Sequence, residues 1–367
     1  MKYKQFQDIS LSRLGFGNMR LPEKDGRINR EKASAMIDRA MRGGVNYYDT
    51  AWMYHGEDSE TFLGEVLPQY PRDSFYLATK FNIGFNPDYR HVFETQLKKL
   101  KTSYIDFYLI HSITDSTIHP YVDDGSVAYF IEQKRQGRIK HLGFSCHSSV
   151  EALKWFVEQY DWEFAQLQLN CFDWLYSHTR QEYEVLEQHN IPIMVMEPVR
   201  GGRLARLTPE AEALLRGAHP DWSMASWMFR FVQSLPQVQT ILSGMSTMEQ
   251  VEDNLRTFDD DLDFTSADRD LLFQAMDMFK DQMQVPCTAC RYCCDDCPMG
   301  INIPEYLRLY NKYKVDGDWG LKSQLDAVES TSPPSECLSC GSCTGHCPQS
   351  IDIPTIMTEM GEKFFAQ

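Results

Sequence analysis

Eight of the chain's eleven cysteines fall into two words of one spacing. Cys287, Cys290, Cys293 and Cys297 are followed by Pro298, and Cys337, Cys340, Cys343 and Cys347 by Pro348. Both words read C-x2-C-x2-C-x3-C-P, and the second stands fifty positions after the first. The repeat continues as Gly-Ile-Asn-Ile-Pro ending at Pro304 and Ser-Ile-Asp-Ile-Pro ending at Pro354. A cubane cluster needs four thiolates closing on one small body. Two x2 steps let a tight loop aim three sulfurs at one point, and the longer x3 step sends the fourth elsewhere. In two-cluster ferredoxins that fourth cysteine ligates the other cluster. The pattern therefore predicts two [4Fe–4S] clusters, one on Cys287, Cys290, Cys293 and Cys347, the other on Cys337, Cys340, Cys343 and Cys297. Disulfides fit less well, because Met-Lys-Tyr-Lys-Gln-Phe at the start has no apolar secretory stretch. Structural zinc usually joins two C-x2-C words across a long gap. Cys294 reads as a bystander, although a register slip of one would make it a ligand.

At 367 residues the chain exceeds one average domain, and its 43% hydrophobic content suffices for a real core. A formal charge of −16 argues against nucleic acid or an anionic membrane as partner. No apolar run is long enough to span a bilayer. The cytoplasm, a reducing compartment, is the expected location.

From residue 11 to about 260, short apolar runs alternate with amphipathic stretches, the pattern of a parallel sheet. The predicted strands are 11–17, 46–50, 75–81, 105–111, 141–145, 164–169, 193–196 and 240–243. Predicted helices between them include 30–42, 89–101 and 150–159. Eight units in about 250 residues fit a closed (β/α)8 barrel of the TIM type. The rival, an open doubly wound sheet, would usually carry G-x-G-x-x-G after its first strand. Gly15-Phe16-Gly17-Asn18 lacks the later glycines. The expected organisation is a barrel over 1–265, a connecting helix over 266–283, and a small, mostly helical, two-cluster ferredoxin-like domain over 284–367. Within that domain 304–314 and 319–328 read as helices and 330–335 as a loop.

Active sites of such barrels sit at the strand C-termini. Asp49, Lys80 and His111 close three successive predicted strands, and Tyr54 lies in the loop after the first of these. Singly, each has a plain reading: a helix cap, a solvent-seeking ammonium, a hydrogen-bonded core imidazole. Their joint placement favours chemistry.

At these residues the chain resembles the aldo-keto reductase family. Asp49-Thr50-Ala51-Trp52-Met53-Tyr54-His55-Gly56, with Ser59-Glu60 and Gly64, looks like the family's Asp–Tyr segment, and Thr79-Lys80 and His111 sit where its Lys and His are expected. The resemblance covers about residues 5–260, and the cysteine words resemble those of the family's iron–sulfur branch. It implies an NAD(P)-binding barrel with the catalytic tetrad Asp49, Tyr54, Lys80 and His111. A tyrosine hydroxyl is a reluctant acid or base near neutral pH, and a neighbouring ammonium favours its phenolate. Lys80 suits that part, Asp49 would hold Lys80 charged, and His111 would polarise the substrate oxygen. For the nucleotide, Gly17-Asn18-Met19 resembles the loop beside the nicotinamide, and Ser145 and Gln168 the residues that hold its carboxamide. Gly244, Ser246, Gln250 and Asn254 resemble the loop and helix start at the adenosine phosphate end, where free N–H groups suit phosphate. Two departures stand out. Met196 occupies a place often held by a stacking aromatic residue. The segment 246–254 has no Lys or Arg, so NADP(H) and NAD(H) both stay open, with Arg200, Arg203 or Arg206 as candidate phosphate partners.

Three functions are compatible with this sequence. The barrel reduces a small-molecule carbonyl with NAD(P)H while the clusters are structural or regulatory. Alternatively, the clusters relay electrons between a ferredoxin- or flavodoxin-like redox partner and a barrel-bound cofactor or substrate, in either direction. The third reading is a redox or nucleotide sensor, against which an intact tetrad weighs. A hydride carries two electrons and a cluster one. A flavin could convert between them but is not readable from sequence.

Overall fold

The computed structural model describes residues 1–366 apart from 262, 284, 286, 288, 296, 319 and 348–350. Pro348 and Ser350 of the second cysteine word, and the first residue of the helix expected over 319–328, thus lie outside the described residues.

Eight parallel strands form a closed barrel. They are β1 (Leu14–Gly17), β2 (Tyr47–Asp49), β3 (Tyr76–Phe81), β4 (Ile105–Ile113), β5 (Ile139–Cys146), β6 (Phe164–Gln168), β7 (Ile193–Met196) and β8 (Val238–Ser243). Each pairs with the next in chain order, and β8 closes on β1. Barrel strands are buried on both faces, which explains near-continuous apolar runs such as Phe107–Ile110. Helices return each strand to the next, and their starts are set by side chains. Asn29 accepts from Lys32 N–H, Asp88 from His91, Ser149 from Ala152 and Ser223 from Ser226.

The run expected as one strand over 11–17 is two. Ser12 ends an antiparallel hairpin, Tyr3–Phe6 with Ile9–Ser12, and β1 begins at Leu14. The break is fixed by side chains: Ser12 N–H donates to Asn46 Oδ1 at 2.8 Å and Ser12 Oγ to Leu14 O at 2.7 Å. The hairpin plugs the N-terminal end of the barrel. There Phe6 packs on Phe107 and Phe164, with ring centroids 5.4 and 6.4 Å away. The C-terminal end is left for the site.

Gly64 sits where the helix Ser59–Val66 crosses the end of the helix Tyr89–Lys99. A Cβ there would lie 1.9 Å from Lys99 O, so only glycine permits the approach.

The chain divides into two compact units, Met1–Ala205 with Arg216–Phe273, and Arg206–Leu215 with Gln274–Gln367. The division falls inside the helix Ser266–Met283, and the segment 206–215 groups with the cysteine-bearing unit.

The second unit is built from short helices around the two cysteine words. The helices Tyr292–Asp295 and Ser342–Gly345 are fifty residues apart, as are the starts of Ile303–Asp316 and Ile353–Phe364. The repeat extends to the backbone: Ala289 and Ser339 both have positive φ, as do Arg291 and Gly341. It extends also to burial. Cys293 and Cys343 are buried, Cys290 and Cys340 exposed. Ile301, Ile303, Ile351 and Ile353 form one core with Leu307, Leu321, Met357 and Met360. The expected loop over 330–335 runs into a short 3-10 turn, Pro334–Glu336.

Candidate active site

Ladder register brings the strand-end residues together. Gly17 pairs with Asp49, Asp49 with Ala78, and Lys80 with Leu109. Lys80 is fully buried, and its Nζ lies 2.6 Å from Asp49 Oδ1 and 2.7 Å from Thr50 O. The same Nζ stands 5.1 Å from the centre of the Tyr54 ring. The Tyr54 ring meets His111 edge-on, at 6.3 Å between centroids. All four tetrad residues expected from the sequence therefore converge on one spot at the barrel mouth.

His111 reaches this spot through an irregularity. The β4–β5 register shifts between Ile110 and Ile113, and Ser112 has positive φ. Ser112 N–H donates to Ser145 Oγ at 2.7 Å, and Tyr121 Oη to His111 O at 2.7 Å. Bulges of this kind re-aim a side chain next to active sites. His111 Nδ1 is buried without a hydrogen-bond partner among the described residues.

The electrostatics follow from enclosure. Burial pushes the Tyr54 hydroxyl above its ordinary pKa, and the Lys80 ammonium offsets only part of that rise. The expectation that Lys80 lowers the phenol pKa holds as a direction of pull but not as the net result. For Lys80, burial opposes the charge, yet Asp49 and Tyr54 outweigh it, so its pKa is raised. Burial, with Lys80 and His147 nearby, holds His111 well below the usual histidine pKa. The site thus presents a protonated phenol, a charged ammonium and a neutral imidazole at neutral pH.

A buried network behind the site holds the Lys80 main chain. Gln96 Nε2 donates to Lys80 O at 2.9 Å and to Glu60 Oε1 at 2.8 Å, and Tyr108 Oη donates to Gln96 Oε1 at 2.7 Å. Thr79 Oγ1 donates to Glu60 Oε1 at 2.6 Å. Burial raises the Glu60 pKa. On the other side, Gln166 Nε2 donates to Asp49 Oδ2 at 3.1 Å. Gln166 was not expected from sequence. Its signal was the period-2 alternation that puts it on the same face as Gln168.

The residues expected to hold a nucleotide lie at or after the ends of β5, β6, β7, β8 and β1. Asn18 donates through Nδ2 to Asp49 O at 2.8 Å and keeps a buried Oδ1 with no partner among the described residues. Met19 is exposed. Ser145 accepts from Ser112, which leaves its own O–H to donate. Gln168 Nε2 donates to Asp173 Oδ2 at 2.9 Å, which leaves its Oε1 as acceptor. Met196 ends β7, followed by Glu197 with positive φ. Gln250 Oε1 accepts the Ser246 N–H at 2.7 Å and completes a capping box with Thr247 at the start of the helix Met248–Asp259. Asn254 is turned to Ser243, 2.8 Å from its Oγ.

Arg20 was missed in the sequence, although it adjoins Met19. Its side chain lies over Gly244, Ser246 Oγ donates to its carbonyl at 2.7 Å, and its guanidinium faces Glu197 at 3.4 Å. It thus supplies a cation beside the loop that lacks one. Arg200 is held instead by Asp173, at 3.0 Å. Arg203 sits in the same loop, and Arg206 belongs to the other unit.

In the second unit a cavity is lined by Cys297, Cys337, Cys340 and Cys343, with Pro298, Ile301, Ile353 and Met357. Four cysteines from both words, walled by apolar side chains, match in type and number the ligands a cubane cluster needs.

Residues 13–269 match the family model described as "Aldo/keto reductase family", and residues 286–351 match "4Fe-4S dicluster domain". The chain is 26% identical over 282 residues to the uncharacterized oxidoreductase YqkF of Bacillus subtilis, covering 68% of this chain and 88% of that protein. It is 23% identical over 320 residues to the NADH-specific methylglyoxal reductase of Escherichia coli, covering 72% and 94%. Among solved structures, the holo aldo-keto reductase AKR11C1 from Bacillus halodurans superposes with a TM-score of 0.63 at 26% identity, covering 75% of this chain and 96% of that one. An aldo/keto reductase from Klebsiella pneumoniae in complex with NADP and acetate superposes at 0.61 and 20% identity, covering 75% and 93%. With the barrel matched from its first strand past its eighth, this oxidoreductase belongs to the aldo/keto reductase family and carries a C-terminal 4Fe–4S domain.

Proposed function

We propose that the protein reduces a small-molecule carbonyl with NAD(P)H, with Tyr54 as proton donor. The observation that carries this reading is the fully buried Lys80 ammonium, fixed by Asp49 and Thr50 and set beneath the Tyr54 ring. A bound nicotinamide nucleotide would supply the hydride. Tyr54 gives its proton to the oxygen that becomes the alkoxide, and Lys80 stabilises the phenolate left behind. Neutral His111 meets the same oxygen through a ring nitrogen. Gly17, Asn18, Met19, Ser145, Gln168 and Met196 would hold the nicotinamide end. Gly244, Ser246, Gln250, Asn254 and Arg20 would hold the phosphate end. Named relatives differ in nucleotide: the Klebsiella structure is a complex with NADP, and the Escherichia coli enzyme is NADH-specific. The test is an anaerobic assay of the full-length protein on a panel of aldehydes and ketones, with NADH and NADPH in parallel. Oxidation of neither nucleotide with any carbonyl would overturn the reading.

The same proposal gives the second unit two [4Fe–4S] clusters with exchanged fourth ligands, and the cytoplasm as the compartment that keeps their thiolates reduced. The four-cysteine cavity supports the exchange. Clusters of this kind supply one-electron transfer. Exposure of Cys290 and Cys340, with Leu338 63% exposed beside the second word, favours a further reading in which a small ferredoxin- or flavodoxin-like partner exchanges electrons there. Rapid mixing of anaerobic protein with NADPH, following cluster absorbance, separates the two. Bleaching in step with turnover supports the relay, and unchanged absorbance during turnover excludes it.

A further inference from the structure

The two cysteine words share spacing, backbone and burial but not their intervening side chains. Where the second word has Ser339, Ser342 and Thr344, the first has Ala289, Tyr292 and Cys294. The Ser342 hydroxyl stands 3.8 Å from Cys340 Sγ. Thr344 Oγ1 is buried with no hydrogen-bond partner among the described residues, and Thr344 directly follows Cys343 in the chain. Neither residue lines the cavity itself; Ser342 is exposed, and the Thr344 hydroxyl is buried. A thiolate bound to iron has no proton. Between it and a hydroxyl, the hydroxyl alone can donate. A buried hydroxyl without an acceptor is costly, and a thiolate is the acceptor Thr344 lacks. In the first word Cys287 Sγ receives the Ala289 N–H at 3.4 Å, and a thiol at 294 is a weak donor.

We infer that Ser342 and Thr344 tune the cluster held by Cys337, Cys340, Cys343 and Cys297, donating hydrogen bonds to its thiolates and making it the first of the two to be reduced. The inference rests on the two-cluster reading above. Its physical basis is charge: a cluster gains one negative charge on reduction, and donors aimed at its sulfurs stabilise the more negative form. One described residue of the first word works the other way, an Arg291 opposite Gly341. Arg291 is exposed, with Nη1 3.3 Å from Asn302 Oδ1, and solvent screens such a charge. Thr344 Oγ1 has no such screening. The reduction itself is balanced by one electron entering the cluster, with the hydroxyl protons staying on their oxygens.

The test is an anaerobic redox titration of the full-length protein with dithionite as reductant, read by electron paramagnetic resonance, alongside iron analysis. The unaltered protein should show two resolved one-electron waves. Ser342→Ala and Thr344→Val should each lower the upper wave and leave the lower one in place. A tenfold loss in the reduction equilibrium would move it by about 59 mV. Ser342→Thr, which keeps a hydroxyl, should restore the position. An upper wave unmoved in both variants, or movement of the lower wave instead, overturns the inference with the clusters intact. An iron content well short of about eight per chain overturns the two-cluster reading itself, and this inference with it.

Discussion

Lys80 Nζ lies 2.6 Å from Asp49 Oδ1 with both side chains out of water, so the pair proposed for catalysis is also a structural one. Removing one member of a buried pair strands the other, at a cost of about 3–5 kcal/mol. Asp49→Asn should therefore lower the thermal midpoint as well as turnover, whereas a purely catalytic role would leave the midpoint unchanged. The pH dependence has a definite sign. The folded Lys80 pKa is raised, so its contribution is fully present below the unfolded lysine value. It is lost only as pH rises through the folded value, in strong alkali. Thermal melts of the parent protein should show that alkaline loss, and melts of Asp49→Asn should show less of it.

Tyr54→Phe keeps the ring and removes the proton. Nucleotide affinity should stay within about twofold while turnover falls by about two orders of magnitude or more, the scale of general acid catalysis. Burial raises the Tyr54 pKa, so the acid form persists through neutral pH. Carbonyl reduction should be level there and decline on the alkaline side. The His111 pKa is depressed, so a decline from its protonation is confined to acid. An alkaline decline that survives in Tyr54→Phe would assign it to another group.

What the sequence disclosed and what it hid divide along physical lines. Asp49, Lys80 and His111 were legible because a polar residue at the end of an apolar strand has few places to go. The cysteine words were legible because ligand spacing is local. The plug hairpin was hidden because its second strand abuts β1 and one apolar run covers both. The offset at His111 and Ser112 was hidden because register belongs to two strands, and the sequence lists one. Arg20 and Gln166 have their partners more than a hundred residues away, so the alternation that puts Gln166 on one face with Gln168 names no contact, and nothing local marks Arg20. The net direction of the Tyr54 shift depends on how completely the folded barrel encloses it, which no spacing rule measures.

Arg20 offers a direct probe of the phosphate end. Its pairing with Glu197 is partly exposed and at 3.4 Å is weak. Arg20→Gln should therefore leave stability nearly unchanged. A charge-assisted hydrogen bond to phosphate is worth about 1.5–3 kcal/mol, so nucleotide affinity should fall about tenfold or more. Isothermal titration with NADPH and NADH checks this. A larger loss for NADPH would place the guanidinium at the 2′-phosphate, and equal losses would place it at the pyrophosphate. Unchanged affinity for both would remove Arg20 from the site.

Gly64→Ala tests the packing of the helix Ser59–Val66 against the end of the helix Tyr89–Lys99. The added Cβ would lie 1.9 Å from Lys99 O, a backbone atom that cannot rotate aside. The two helices must separate, at a cost of about 1–3 kcal/mol. The same alanine at Gly217, which has open space around it, should be close to neutral. Chemical denaturation of the two variants makes the comparison, and equal midpoints would contradict the packing argument.

Cys297→Ser distinguishes exchanged from unexchanged ligation. Cys297 ends the first word in sequence, yet in space it lines one cavity with Cys337, Cys340 and Cys343. Were each word to hold its own cluster, Cys297→Ser would harm the cluster of Cys287, Cys290 and Cys293. With exchange it harms the other. Two reference variants settle which, because Cys290 and Cys340 are exposed and central in their words. Cys290→Ser marks the spectrum left when the first site fails, and Cys340→Ser the spectrum left when the second fails. After anaerobic reconstitution, Cys297→Ser should lose up to about half its iron and resemble Cys340→Ser by paramagnetic resonance. A match to Cys290→Ser instead would show that each word closes on its own cluster, and that the four sulfurs around the cavity are neighbours without being a ligand set.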